Sequence, residues 1–378
     1  MALSADARTL VVGAPGHYDN TDRKGYVKEN RAEEDGEIHM KQLGQTIYGD
    51  ATGDLFGRSL DVTVEGNYIV IGSPGYYNTT DRPGYVRVFS LVSNDEAGDD
   101  TWNKIGQDII GEANGDEFGV SVSISEDGET IAVGTFNGAS YVKIYHLEDW
   151  GQIGEDIGGE GTKNNFGLFV SLSADGSTIA IGAPFNDDNG DDSGQVMVYR
   201  IDSEGSSWER LVQGIHGDNA GDKFGRSVDL SPDGNTLAIG SPGYWEEEDQ
   251  PGYIRVFSLE SSLNTGSWIQ IGRDIIGEAN GDEFGYSVSL SDDGKTLAVG
   301  ARGADLNGAA SGCVKVYQMG DSISGWMQLG DDIDGEASYD ASGFSVSLSA
   351  DGNTVAISSP LNDDNGDASG HVRVFVLE

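Results

Sequence analysis

The sequence predicts an all-β chain, a β-propeller of four-stranded blades, and three observations lead there. A turn of the form Ser-x-Asp-Gly-x-Thr recurs with its glycine at Gly128, Gly176, Gly234, Gly294 and Gly352, and degenerate copies put Gly66 and Ala7 in that place. The copies are flanked by short runs alternating apolar and polar residues, the period of a half-buried strand, and no helical period intervenes. They fall 48 to 62 residues apart, and four short strands in a unit of that size cannot bury an apolar face alone, so the units must stack. Radial stacking leaves only short protected edges, whereas a linear solenoid would need polar caps at both ends.

The stretch 268–317 shows one unit in full. Residues 268–272 read as a strand, 277–283 as a loop and 284–290 as a second strand; the Asp293-Gly294 turn then leads to 296–300, and a further loop reaches 312–317. Asp-Gly between alternating runs favours a tight primed turn, because glycine accepts positive φ without a Cβ clash, so the second and third strands pair. Along the chain there are six Trp-type strands, six Phe-Gly strands, seven Asp-Gly-type strands and seven Val-x-Val-type strands, two strands short of seven complete blades. The expectation is one propeller domain over 1–378 with seven blades and an incomplete seam blade. Six blades with an N-terminal hairpin, or a fragment of a longer chain, are the alternatives.

Composition narrows the function. Glycine supplies 57 of 378 residues and proline only 8, which suits many tight turns between short strands. A formal charge of −42 repels phosphate backbones and anionic lipid heads, so nucleic acid is not an expected partner. No apolar run is long enough to cross a bilayer, so no direct membrane insertion is expected. Cys313 is the single cysteine, which excludes an internal disulfide and a multi-cysteine metal site. The start, Met1 to Arg8, lacks the basic and apolar regions of a secretory signal, and it lies inside a repeat, leaving room for a signal or further repeats upstream.

Phe-Gly opens a strand at Phe56-Gly57, Phe118-Gly119, Phe166-Gly167, Phe224-Gly225 and Phe284-Gly285, with Ser342-Gly343 as a variant. Gly-Ala-Pro or Gly-Ser-Pro ends the next strand at Gly13-Ala14-Pro15, Gly72-Ser73-Pro74, Gly182-Ala183-Pro184 and Gly240-Ser241-Pro242, while Gly134-Thr135-Phe136, Gly300-Ala301-Arg302 and Ser358-Ser359-Pro360 depart from it. In these motifs, in register over almost the whole chain, the sequence resembles the FG-GAP repeat of integrin-α-type propellers. The resemblance implies a propeller used for adhesion or ligand recognition, commonly at a cell surface. The family's calcium loop, with alternating Asp and Asn ligands, is not matched by the short Ser-x-Asp-Gly-x-Thr turn, which offers too few oxygens for calcium. Leu230 to Ala238 also looks like a WD40-type hairpin without the Trp-Asp ending, so an intracellular scaffold stays as an alternative.

Candidate sites follow the repeats. Paired carboxylates precede the Phe-Gly strand at Asp50 and Asp54, Glu112 and Asp116, Asp218 and Asp222, Glu278 and Asp282, and Glu336 and Asp340; one repeat has Glu160 and Asn164 instead. The second Asp of each pair can close its own turn by accepting backbone N–H groups, or each pair can hold a cation. The loops after Gly-Ala-Pro form two classes. Tyr18, Tyr76, Tyr77, Tyr244 and Trp245 offer flat rings for a ligand or for packing between blades. Asp187, Asp188, Asp191, Asp363, Asp364 and Asp367 offer oxygen ligands for Ca2+, or build plain hairpin turns. Trp102, Trp150, Trp208, Trp268 and Trp326 recur at one strand position, as packing residues do.

No nucleophile elbow, histidine pair or phosphate loop is present, and the five histidines are scattered. The expectation is therefore not an enzyme but a monomeric binding or adhesion propeller, extracellular or on a cell surface, recognising a protein or glycan through loops on one face. A carbohydrate-active enzyme, a glycosidase or lyase, is the alternative reading.

Overall fold

The computed structural model describes residues 1–16, 24–32, 40–75, 82–93, 100–136, 140–159, 164–211, 213–243, 250–260, 267–320 and 325–377. No helix occurs among them, and the strands form seven antiparallel sheets, the blades of a β-propeller. The chain divides into two compact units, Met1–Val170 and Ser171–Glu378. The first unit holds sheets one to three, and the second holds sheets five to seven and nearly all of sheet four.

The second to sixth sheets each begin with the Phe-Gly strand and end with the Trp strand. In the fifth, Ser227–Leu230 pairs with Thr236–Ser241, which pairs with Tyr253–Glu260, and Ser267–Gln270 and Ile275–Ile276 both pair with that third strand. The outer strand breaks between its two segments at Gly272, which has φ 78°, a left-handed conformation that glycine adopts freely. The sequence unit 268–317 therefore spans two sheets. Its loop at 277–283 is a crossover, and the Trp strand belongs to the preceding sheet. The seam lies where the strand count expects it: the seventh sheet has three strands, and the first has all four, its inner strand reduced to Ala2–Leu3. The N-terminal strands are thus a whole sheet and not an added hairpin.

The repeated turn is longer than a two-residue primed turn. Ser125 and Thr130 pair across the residues 126–129, with Gly128 N donating to Ser125 O at 3.0 Å and Ser125 N donating to Thr130 O at 2.9 Å. Asp127 Oδ1 accepts from Ser125 Oγ and from Glu129 N, so the two recurring polar residues of the turn satisfy the loop's own donors.

Phe-Gly and Gly-Ala-Pro form one packing device. Phe56, Phe118, Phe224 and Phe284 are wholly buried between consecutive sheets and Phe166 is buried as fully, each contributing about 2 to 3 kcal/mol of hydrophobic stabilisation. The glycine after each phenylalanine has φ between 85° and 94°, and the carbonyls of Gly57, Gly119, Gly167 and Gly285 lie against the glycine that ends the second strand of the preceding sheet. A Cβ on Gly72 would strike Gly119 O, and one on Gly240 would strike Gly285 O. A serine bonds the same carbonyl: Ser59 Oγ donates to Gly119 O at 2.7 Å and Ser227 Oγ to Gly285 O at 2.9 Å. The tryptophans also pack between sheets, with Trp102 against Gly44 and Trp326 against Gly272.

Candidate functional site

The end of each sheet where the Phe-Gly strand starts carries two loops, and the paired carboxylates organise the first. Asp54 Oδ2 accepts from Asp50 N at 3.1 Å, Ala51 N at 2.8 Å and Tyr85 Oη at 3.0 Å. Asp222 repeats this with Asp218 N, Asn219 N and Tyr253 Oη, and Asp116 with Ala113 N and Tyr141 Oη. The second Asp of the pair therefore closes its own turn. Burial, opposed by the Ser73 hydroxyl and reinforced by Asp54, pushes the Tyr85 phenol up to about 12, so it stays a donor at any ordinary pH.

The first carboxylate of each pair meets a cation at the middle of the sheet's third strand. Arg87 joins Asp50 to Asp108, Lys143 joins Glu112 to Asp156, Arg255 joins Asp218 to Asp274, and Lys315 joins Glu278 to Asp332. The cations are largely buried, and the hydrogen bond from Arg87 holds the Asp50 and Asp108 carboxyls below their ordinary value. These groups are thus committed to one another. The fourth sheet has Met197 at the cation's place and Gly214 at that of the outer acid.

The second loop, after Gly-Ala-Pro, hangs on the first. Gly75 N donates to Asp54 O, Phe136 N to Asp116 O, Gly243 N to Asp222 O and Gly303 N to Asp282 O, at 3.0 to 3.2 Å. Tyr18, Tyr76, Tyr77, Tyr244 and Trp245 lie outside the described residues.

The acidic loops share a hydrogen-bonded form. Asp187 Oδ1 accepts from Asp192 N at 2.8 Å, and Asp363 Oδ1 accepts from Ala368 N at 2.7 Å. The sixth-sheet loop, with Asp305 as its single acid, has the same bond to Ala310 N at 2.7 Å. Each donating residue has φ between 43° and 53°, so the Asp fixes a left-handed residue. Beyond that role, oxygens of Asp187, Asp191 and Asp192 lie within 4.8 Å of one another, and Asp364 comes equally close to Glu336 and His371. Asp188 instead faces His216, with Oδ2 to Nδ1 at 3.8 Å. The expected set is therefore split, and Asp192, Glu336 and His371 join it.

A second constellation was not foreseen from the sequence. In the second unit, Arg226 of the fifth sheet and Arg302 of the sixth each lie 3.9 Å from the centre of the Tyr286 ring, which packs on Phe344 of the seventh at 5.2 Å. Arg302 Nε donates to Glu283 Oε2 at 2.5 Å, and Arg302 Nη2 to Glu283 Oε1 at 3.2 Å. Lys223 sits over Phe185; burial lowers its pKa first, with Arg226 and Arg302 adding to the effect against Asp192 and Glu283. The signal was available: Arg302 stands where five other repeats have proline and one has phenylalanine, and Arg226 and Tyr286 occupy the variable place after Phe-Gly.

The model of the FG-GAP repeat matches residues 159–199 and 277–317, so the chain carries FG-GAP repeats. No curated protein matches the sequence. Among solved structures, a 6-phosphogluconolactonase described as putative, from Bacteroides uniformis, is similar at 12% identity and a TM-score of 0.62, over 98% of this chain and 97% of that one. The periplasmic gluconolactonase of Pseudomonas aeruginosa is similar at 17% identity and 0.57, over 89% and 85%. Sqt1 of Chaetomium thermophilum, bound to the N-terminus of the ribosomal protein L10, is similar at 14% and 0.59, over 99% and 83%. At such identities the likeness is one of fold. It nevertheless corrects the expectation of a non-enzyme. Two structures of this fold are named as lactonases, so the lack of a familiar catalytic motif in the sequence does not set enzymes aside.

Proposed function

We propose that this chain of FG-GAP repeats is a recognition module, extracellular or at a cell surface, that holds a protein or glycan with the loops at the Phe-Gly end of its sheets. The observation behind this is the pairing of a constant loop with a variable one. The Asp-capped loop recurs nearly unchanged and anchors the loop after Gly-Ala-Pro, which differs from sheet to sheet in length and chemistry. Variable loops on a rigid support are how scaffolds present binding residues. Tyr18, Tyr76, Tyr77, Tyr244 and Trp245 supply rings, and Asp187 and Asp191 in one loop and Asp364 in another supply oxygens for calcium at two separate places. That Sqt1 is described bound to a protein terminus supports a protein ligand.

The test replaces segments 76–81 and 244–249 by Gly-Ser of equal length and probes a glycan array and a peptide panel. Binding is lost while the melting midpoint stays; binding that survives both replacements refutes the reading. Melting with calcium and with chelator tests the metal, since a ion held only by the native state raises the midpoint. A second reading, hydrolysis of a sugar lactone, is favoured by the names of two structural neighbours. Proton release from gluconolactone, faster than the uncatalysed rate, would establish it.

A further inference from the structure

The seventh sheet stops one strand short. Its third strand, His371–Val376, pairs on its inner side with Thr354–Ser359 and on its outer side with nothing among the described residues. In the fifth and sixth sheets the same place is covered. Ile254, Val256, Val314 and Val316 are at most 2% exposed there and Phe257 and Tyr317 are buried, whereas Val372, Val374 and Phe375 are partly exposed and Val376 is 56% exposed. An edge left open in this way offers a row of backbone donors and acceptors to an added strand.

Arg373 tells what that strand must carry. It occupies the place of Arg87, Lys143, Arg255 and Lys315, and Glu336, the first acid, stands 3.6 Å from its Nη1. Each of those four cations also meets an Asp of the outer strand, from a Gly-x-Asp-Ile that recurs at 106–109, 154–157, 272–275 and 330–333. Where the cation is arginine, that Asp takes its Nε: Arg87 Nε donates to Asp108 Oδ1 at 2.9 Å, and Arg255 Nε to Asp274 Oδ1 at 3.1 Å. The first sheet, with Thr46 in place of the Asp, has Lys28 there, and its ammonium turns to the Tyr26 ring. Arg373 has neither resort for its Nε. Its Nη2 donates to Asp334 O at 2.6 Å and Ser342 Oγ at 3.4 Å, while Nε is buried without a partner. A donor left in that state costs free energy that an added carboxylate recovers.

We infer that the open edge of the seventh sheet binds an extended segment of a partner protein as its fourth strand, with an Asp seated on Arg373 as Asp274 is on Arg255. A second copy of this chain does not fit the place, because its own unpaired strand, 371–376, repeats Arg373 and holds no acid. The fitting segment is close to neutral overall, since a field of −42 repels a polyanion. This edge is separate from the loops after Gly-Ala-Pro. Replacing segments 76–81 and 244–249 leaves 371–377 unchanged, so the two readings fail separately.

Fluorescence anisotropy on the full chain tests it, with a labelled peptide of residues 268–276 as the probe, in which Arg273 balances Asp274. The peptide binds, and Asp274→Asn in the peptide weakens binding about tenfold or more. Arg373→Met in the chain weakens the unaltered peptide as much and the Asp274→Asn peptide no further. Should Arg373→Met not fold, the peptide variants decide alone. In the fifth sheet Ile271 N donates to Val256 O at 2.8 Å, so a peptide N-methylated at Ile271 lacks the donor for Val374 O and does not bind. No saturable binding, equal affinity for the Asp274→Asn peptide, or binding that survives N-methylation overturns the inference. A dimer of the chain whose formation blocks the peptide gives the edge to a second copy and overturns it too.

Discussion

Glu29 gives the sharpest test of the physical account. It lies on the third strand of the first sheet with its side chain 1% exposed, and neither carboxylate oxygen has a hydrogen-bond partner. Arg31 stands 3.7 Å away, and the Trp102 indole is near without making a bond. Burial, only partly offset by Arg31 and Trp102, pushes the carboxyl from 4.5 up to about 8. The folded state thus keeps this proton to higher pH than the unfolded state. Stability from this group is full below the unfolded value of 4.5 and falls as pH rises to about 8, beyond which the loss is constant. A shift of that size corresponds to at most about 5 kcal/mol, and relaxation around the charge brings the expected loss to about 2 to 4 kcal/mol. Glu29→Gln removes the charge and keeps the shape. In urea unfolding followed by tryptophan fluorescence, it matches the wild type at pH 4 within about 1 kcal/mol and exceeds it at pH 9 by about 2 to 4 kcal/mol. Parallel pH profiles for the two proteins would refute the buried, unpaired carboxylate.

Further outcomes follow from other contacts. Arg255→Met leaves Asp218 and Asp274 without their shared cation and lowers urea stability by about 1 to 3 kcal/mol, and adding Asp274→Gly restores part of it. Gly240→Ala drives a methyl into Gly285 O and costs more than about 3 kcal/mol, read as a lower urea midpoint or loss of soluble protein. Burial pushes the Cys313 thiol up to about 12, so Ellman's reagent at pH 8 finds no thiol in the native chain and one after unfolding.

The sheets were legible because the repeat signals are local. Asp-Gly turns and alternating runs act within a few residues, so Ser227–Leu230 and Thr236–Ser241 pair as the sequence predicts. The owner of the Trp strand was not legible, because residues 277–283 could close a hairpin or cross between sheets, and the pairing of Ser267–Gln270 with Tyr253–Glu260 decides it. The capping role of Asp54 and Asp222 was foreseen from turn chemistry. The ion triads were not, since Asp50 and Arg87 are far apart in sequence and meet only through the sheet. The Arg226–Tyr286–Arg302 group escaped because it is made of departures from the repeat, and a search for what recurs passes over what differs.

The fourth sheet turns that lesson into an argument about energetics. There the third-strand cation is replaced by Met197, the outer acid by Gly214 and the capping Asp by Asn164, all in one repeat. Glu160 stays at the place of the first acid, so what this repeat has lost is the cation and the outer acid. A buried cation without its partners costs several kcal/mol, whereas losing the cation together with the outer acid leaves an apolar site that packs, and Met197 is fully buried. The freed space receives a different polar group: Gln195 Nε2 lies 3.3 Å from His216 Nε2 and 3.4 Å from Asp188 Oδ2. Asp188 in an acidic loop is thereby tied to its own sheet, as Asp187 is tied to the backbone of Asp192.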